Sequence, residues 1–157
     1  MSAFNHYRFR SIWVIHAAPS DVYAVLHDVG SYSMWWPEIK RVQRVSDDRF
    51  ELRVRSFLPY YLDFESTRAR EDKSSGVLEA RLSGDLDGYS RWTIEGSGGL
   101  TRAVFDEEVD THKRSLNLLA PLARPAFKAN HTFMMRHGQA GLRTFLAGVS
   151  FGAAARP

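Results

Sequence analysis

The stretch from Leu116 to Leu146 restricts the fold of this chain more than any other. Spaced at about 100° per residue, Leu116, Ala123, Phe127, Met134, Gly138, Gly141, Leu142 and Phe145 fall on one side and Lys128, Thr132, Arg136, Gln139 and Arg143 on the other. Such an amphipathic helix needs a second layer to cover its apolar side. Asn130 and His131 lie on the flanks of that side, where a uniformly oily core would have put carbon. Pro121 and Pro125 predict a loose, kinked opening, with regular helix from Ala126 and a stop at Gly148.

Alternating segments upstream supply the second layer. Between Tyr7 and His16, Tyr7, Phe9, Trp13 and Ile15 oppose Arg8, Arg10, Ile12, Val14 and His16, which is the pattern of a strand. Ala18-Pro19-Ser20-Asp21 opens a short helix that ends near Gly30, and Ser31 to Trp36 forms one more turn before Pro37. Strand-like runs follow at Ile39 to Ser46, Phe50 to Phe57, Tyr61 to Glu71, Val77 to Ser83, Tyr89 to Gly96 and Leu100 to His112. Most breaks between them are rich in Asp, Ser and Gly, as tight turns are, Gly84 to Gly88 among them. Leu58-Pro59-Tyr60 is the exception, an apolar and aromatic link where a solvated turn would be polar. The expected fold is α+β: a curved seven-stranded antiparallel sheet around one long C-terminal helix, with two short helices after the first strand. One helix cannot fill the concavity of so wide a sheet, so a pocket is expected.

Composition excludes several functions. With 157 residues, 44% hydrophobic and 25% charged, the chain has material for one core, read as one domain over 1–157 with an ordered part at about 7–148. It has no cysteine, which removes disulfides, thiolate catalysis and cysteine-ligated metal centres. The net charge of +3 is mild and the arginines are scattered, so no nucleic-acid partner is expected. No signal peptide and no apolar run of spanning length is found, so the expectation is a soluble, cytoplasmic protein without stable membrane insertion.

Particular residues resemble a known superfamily. Ser11-Ile12-Trp13-Val14-Ile15-His16-Ala17-Ala18-Pro19-Ser20-Asp21-Val22-Tyr23, with Asp28 and Trp35-Trp36-Pro37, resembles the START-like, or SRPBCC, proteins. Leu118-Leu119-Ala120-Pro121-Leu122-Ala123-Arg124-Pro125-Ala126-Phe127, then Asn130-His131, Met135, Gly138, Gly141 and Leu142, is similar to the polyketide cyclase/dehydrase-like branch. Gly84-Asp85-Leu86-Asp87-Gly88 with Trp92 is similar to the same branch, and the likeness runs from about Tyr7 to Leu146. It implies a helix-grip fold that holds a hydrophobic ligand between sheet and helix. It leaves chemistry open, because fold does not fix function.

In the last strand Phe105, Glu107 and Val109 share a face opposite Asp106, Glu108 and Asp110, so Glu107 is expected among buried side chains. A desolvated carboxyl there has a raised pKa and can act as general acid or base, or bind a polar ligand group. The alternative is a strand end at a solvated mouth, or a bulge that swaps the faces. His131 can partner Glu107 in catalysis, or be a core histidine with its hydrogen bonds satisfied. Trp36, Tyr60, Tyr61, Trp92, Phe105, Asn130 and Met134 complete the expected ligand-binding set. Gly96-Ser97-Gly98-Gly99 reads as a hairpin turn, and His131 and His137, six apart on a helix, cannot face one metal. No metal site and no cofactor are expected.

The leading expectation is binding of a hydrophobic or aromatic small molecule, such as a lipid, a quinone or a polyketide-like compound. The rival is a polyketide cyclase or dehydratase using Glu107 or His131 for proton transfer. A third reading, an interaction module, requires a large exposed apolar patch in place of an internal cavity. Oligomeric state and ligand identity are not legible at this level.

Overall fold

The computed structural model describes residues 5–112 and 120–154. Strand β1 (His6–Ile15) leads into α1 (Pro19–His27), a 3-10 turn (Val29–Ser31) and α2 (Tyr32–Trp35). Then come β2 (Ile39–Arg44), β3 (Arg49–Val54), β4 (Leu62–Asp72), β5 (Val77–Gly84), β6 (Leu86–Ser97), β7 (Leu100–Thr111) and the long helix α3 (Ala120–Ala154). The strands form one antiparallel sheet in the order β1-β7-β6-β5-β4-β3-β2. The first strand closes the sheet on the side of the last, because the short helices carry the chain across to the opposite edge. This is the helix-grip arrangement, with the curved sheet holding α3.

Three expectations are corrected. Helix α3 starts before Ala126 and contains Pro125, and it runs past Gly148. Pro125 removes only its own intrahelical N–H bond, and Gly148 is an exposed helical glycine with open space around it. Leu116, where the amphipathic stretch was expected to open, lies outside the described residues. Gly84 to Gly88 is not all turn, since β6 begins at Leu86, which is buried. Gly88 there lies flat on β7, where an added Cβ would stand 2.0 Å from the Glu108 carbonyl oxygen. Finally, Asn130 and His131 occupy the middle of the buried face of α3, in line with Phe127, Met135, Gly138, Leu142 and Leu146, while Met134 is only partly buried.

The core is in two parts. The larger gathers Trp13, Trp35, Trp36 and Trp92 with α1 and one end of the sheet. The smaller gathers Tyr7, Leu62, Leu82, Leu86, Val109 and Phe127. Phe64 packs against both. Helix α3 reaches the larger part through two glycines. A Cβ on Gly138 would stand 2.5 Å from the Trp36 ring, and one on Gly141 would stand 1.8 Å from the Trp35 carbonyl oxygen. The Trp36 indole also donates to the Met134 carbonyl at 2.9 Å, fixing the helix against the joint before β2.

Candidate ligand cavity

Space is left where the two parts of the core fail to meet, and small side chains on the sheet create it. Along one inward row the register sets Phe9 beside Glu107, Glu107 beside Ser90, Ser90 beside Ala80 and Ala80 beside Arg68. Ser90 and Ala80 leave the middle of that row low, and Ser66 does the same on β4. Above them lies a cavity of about 120 Å³, walled by Trp36, Trp92, Phe105, Phe50, Phe64 and Met134, with Glu107 at one end. His27, Asp48, Arg68 and Arg70 line its other end. Arg68 is held there by donating to the His27 carbonyl at 2.9 Å, and His27 bonds Glu71 at 2.6 Å.

A smaller chamber of about 50 Å³ lies under the Leu58-Pro59-Tyr60 loop, lined by Ser56, Tyr60, Phe127, Asn130 and His131 among others. Val54, Phe64, Glu107 and Met134 border both spaces, so Glu107 stands at the waist between them. Asn130 fixes the loop, its Oδ1 accepting from the Leu58 amide at 3.4 Å. That loop is apolar because it roofs a chamber.

The waist holds the two titratable groups singled out by the sequence. His131 Nε2 and Glu107 Oε1 are 4.0 Å apart, with side chains 7% and 11% exposed. Burial pushes the Glu107 carboxyl up to about 8 and the His131 imidazole down to about 4. At neutral pH both are therefore uncharged, and the pair is an acid beside a base without an ion pair. The His131 ring is stacked on Phe9 at 3.7 Å and lies near-parallel to Phe105, and its Nε2 has no hydrogen-bond partner among the described residues. The alternative reading, a core histidine with its hydrogen bonds satisfied, is thus not met at Nε2. Chemically, the pair can donate a proton to one ligand oxygen and take one from another.

Of the expected ligand-binding set, Trp36, Trp92, Phe105 and Met134 border the larger space, and Tyr60, Asn130, His131 and again Met134 the smaller. Tyr61 is corrected. It is 39% exposed and borders neither space, its ring lying under the Arg53 and Arg55 guanidiniums at 4.9 and 5.1 Å. Alternation along the start of β4 sends Tyr61 outward and Leu62 inward. Ser56, Ser66, Ala80, Ser90 and Arg68 were missed. Ser66, Ala80, Ser90 and Arg68 are small or polar residues at inward strand positions, which only a known register turns into a floor, while Ser56 lies in the link after β3, where no such pattern marks it. Among the described residues no cluster of His, Asp and Glu could hold a metal ion, and no helix is long and apolar enough to cross a membrane.

An open sheet gripping one helix over an internal, largely apolar cavity is the arrangement expected from the helix-grip resemblance. The sequence pattern of the polyketide cyclase / dehydrase and lipid transport family matches residues 15–134, and the chain belongs to that family. Its fold is similar to that of the Zhui aromatase/cyclase from Streptomyces sp. R1128, at a TM-score of 0.74 and 16% identity over 88% of this chain and 92% of that one. A START superfamily protein from Mycobacterium smegmatis is as similar, at 0.74 and 15% over 90% and 98%. A structure from Thermus thermophilus reaches 0.71 at 16% over 86% and 96%. At such identities the likeness is one of fold. No curated protein matches the chain.

Proposed function

We propose that this protein binds an apolar, ring-containing small molecule that spans both spaces and sets a carbonyl or hydroxyl group against Glu107 and His131. The observation that carries this reading is the waist itself: an uncharged acid and an uncharged base, 4.0 Å apart, in otherwise largely apolar walls. Aromatic walls give most of the affinity. A ligand burying about 300 Å² of apolar surface gains roughly 7 kcal/mol before the costs of association. An internal cavity is what the interaction-module reading lacks.

The same pair supports a second reading, cyclisation or dehydration of a polyketide-like chain. Glu107 would protonate a carbonyl oxygen while His131 accepts a proton from carbon or hydroxyl, and confinement would set the ring size. The likeness in fold to an aromatase/cyclase agrees with it.

Native mass spectrometry of the protein purified from its own cells, with organic extraction, tests the binding reading. A stoichiometric apolar adduct is expected; a clean apo mass, together with no heat on titration with naphthoquinones and aryl ketones, sinks it. Glu107→Gln then separates the two readings. A binder loses affinity, whereas a cyclase loses turnover by about a hundredfold or more with affinity nearly kept.

A further inference from the structure

The smaller chamber has a character of its own. Ser56 Oγ, Tyr60 Oη and His131 Nε2 are all buried, all border this chamber, and none has a hydrogen-bond partner among the described residues. Unsatisfied buried polar atoms are uncommon in folded proteins, each costing about 1–3 kcal/mol. Three of them border one chamber of about 50 Å³. Ser56 and Tyr60 can donate, as can the protonated Glu107 at the waist and His131 in the tautomer that carries its proton on Nε2. A ketone oxygen accepts two such bonds. A carboxylate accepts about four, and so matches the set.

Charge agrees. Among the described residues bordering the smaller chamber, Arg55 alone is charged at neutral pH, since Glu107 and His131 are held neutral by burial. Its guanidinium rests over the Tyr61 ring at the rim, at 5.1 Å. The larger space is apolar at its centre, with Trp36, Trp92 and Phe105 around it, and the arginines at its far end are already paired, Arg68 with Glu71 at 3.4 Å and Arg70 with Asp72 at 3.6 Å.

We propose that the smaller chamber is a carboxylate subsite, in which Ser56, Tyr60 and His131 receive the acid end of an aryl or alkyl carboxylic acid whose apolar body fills the larger space. This rests on the cavity being a ligand site. It fixes the ligand's direction, with the head under the Leu58-Pro59-Tyr60 loop and the body toward α1.

Calorimetric titration with 4-phenylbutanoate, its methyl ester and 4-phenylbutan-1-ol tests it. The acid should bind about tenfold more tightly than either neutral probe, since charge-assisted hydrogen bonds favour it by that order. Tyr60→Phe and Ser56→Ala should each erase most of the preference. Without ligand, Tyr60→Phe should melt higher than the parent, because it deletes an orphaned buried hydroxyl; a folding defect would lower it. Equal affinity for the three probes, or variants that leave the acid preference unchanged, overturns the subsite while the cavity reading stands. Failure of all three to bind also overturns the subsite, while the cavity reading falls only if the protein carries no adduct and gives no heat with naphthoquinones and aryl ketones.

Discussion

Glu107 and His131 are neutral for the same reason and with opposite consequences for stability. Burial raises the Glu107 carboxyl from 4.5 to about 8, so the unfolded chain holds fewer protons than the folded one between those values. Stability is then greatest below pH 4.5 and declines up to about 8. Burial lowers His131 from 6.5 to about 4, so its share is present above 6.5 and is lost as pH falls toward 4. The two slopes oppose each other between 4.5 and 6.5, which leaves Glu107 acting alone above 6.5. Urea midpoints should therefore show a fall of about 2 kcal/mol between pH 6.5 and 8, absent in Glu107→Gln. A fall of equal size in the variant would place Glu107 in a solvated setting. The burial of this side chain was legible from alternation in β7, whereas its distance to His131 was not, because the two sit on different elements, β7 and α3, whose docking no local pattern sets. Tyr60 was legible as an unusual loop residue, and Tyr61 was misplaced because neighbours on an extended chain point opposite ways.

Helix α3 meets the rest of the fold through backbone contact that only glycine allows. At Gly141 a Cβ would overlap the Trp35 carbonyl, a main-chain atom that cannot rotate aside. Alanine there gains up to about 1 kcal/mol in helix propensity and loses about 1–3 kcal/mol or more to overpacking, so the net is destabilising. At Gly148 a Cβ meets nothing within 4 Å, and the propensity gain stands alone. Chemical denaturation should rank Gly148→Ala above the parent and Gly141→Ala below it. The reverse order would mean that the helix sits further from α2. The pattern of α3 was legible in its apolar period, but its ends were not. Pro125 and Gly148 read as boundaries from local propensity, and tertiary packing of Phe127, Met135, Leu142 and Leu146 carries the helix through both.

In the whole molecule, the proposed binding depends on space left unfilled between two parts of one core. Ser90 and Ala80 maintain it, and Ser90→Leu should close it. The variant is expected to melt at or above the parent temperature, because apolar surface replaces a void, and to bind 4-phenylbutanoate at least about tenfold more weakly. Retained affinity would place the ligand elsewhere. By itself the sequence determined the kinds of element and their order, since period two and period 3.6 are local properties set by which faces must avoid water. From a first strand set apart by two short helices, six short-linked strands and one amphipathic helix, it also determined a curved sheet around that helix. Only the tertiary structure decided which inward residues share a row, that Ser90 and Ala80 lie beside Glu107, and that Ser56, Tyr60 and His131 converge under one loop. Register, curvature and the depth of α3 set those distances, and each depends on contacts between residues far apart in the chain.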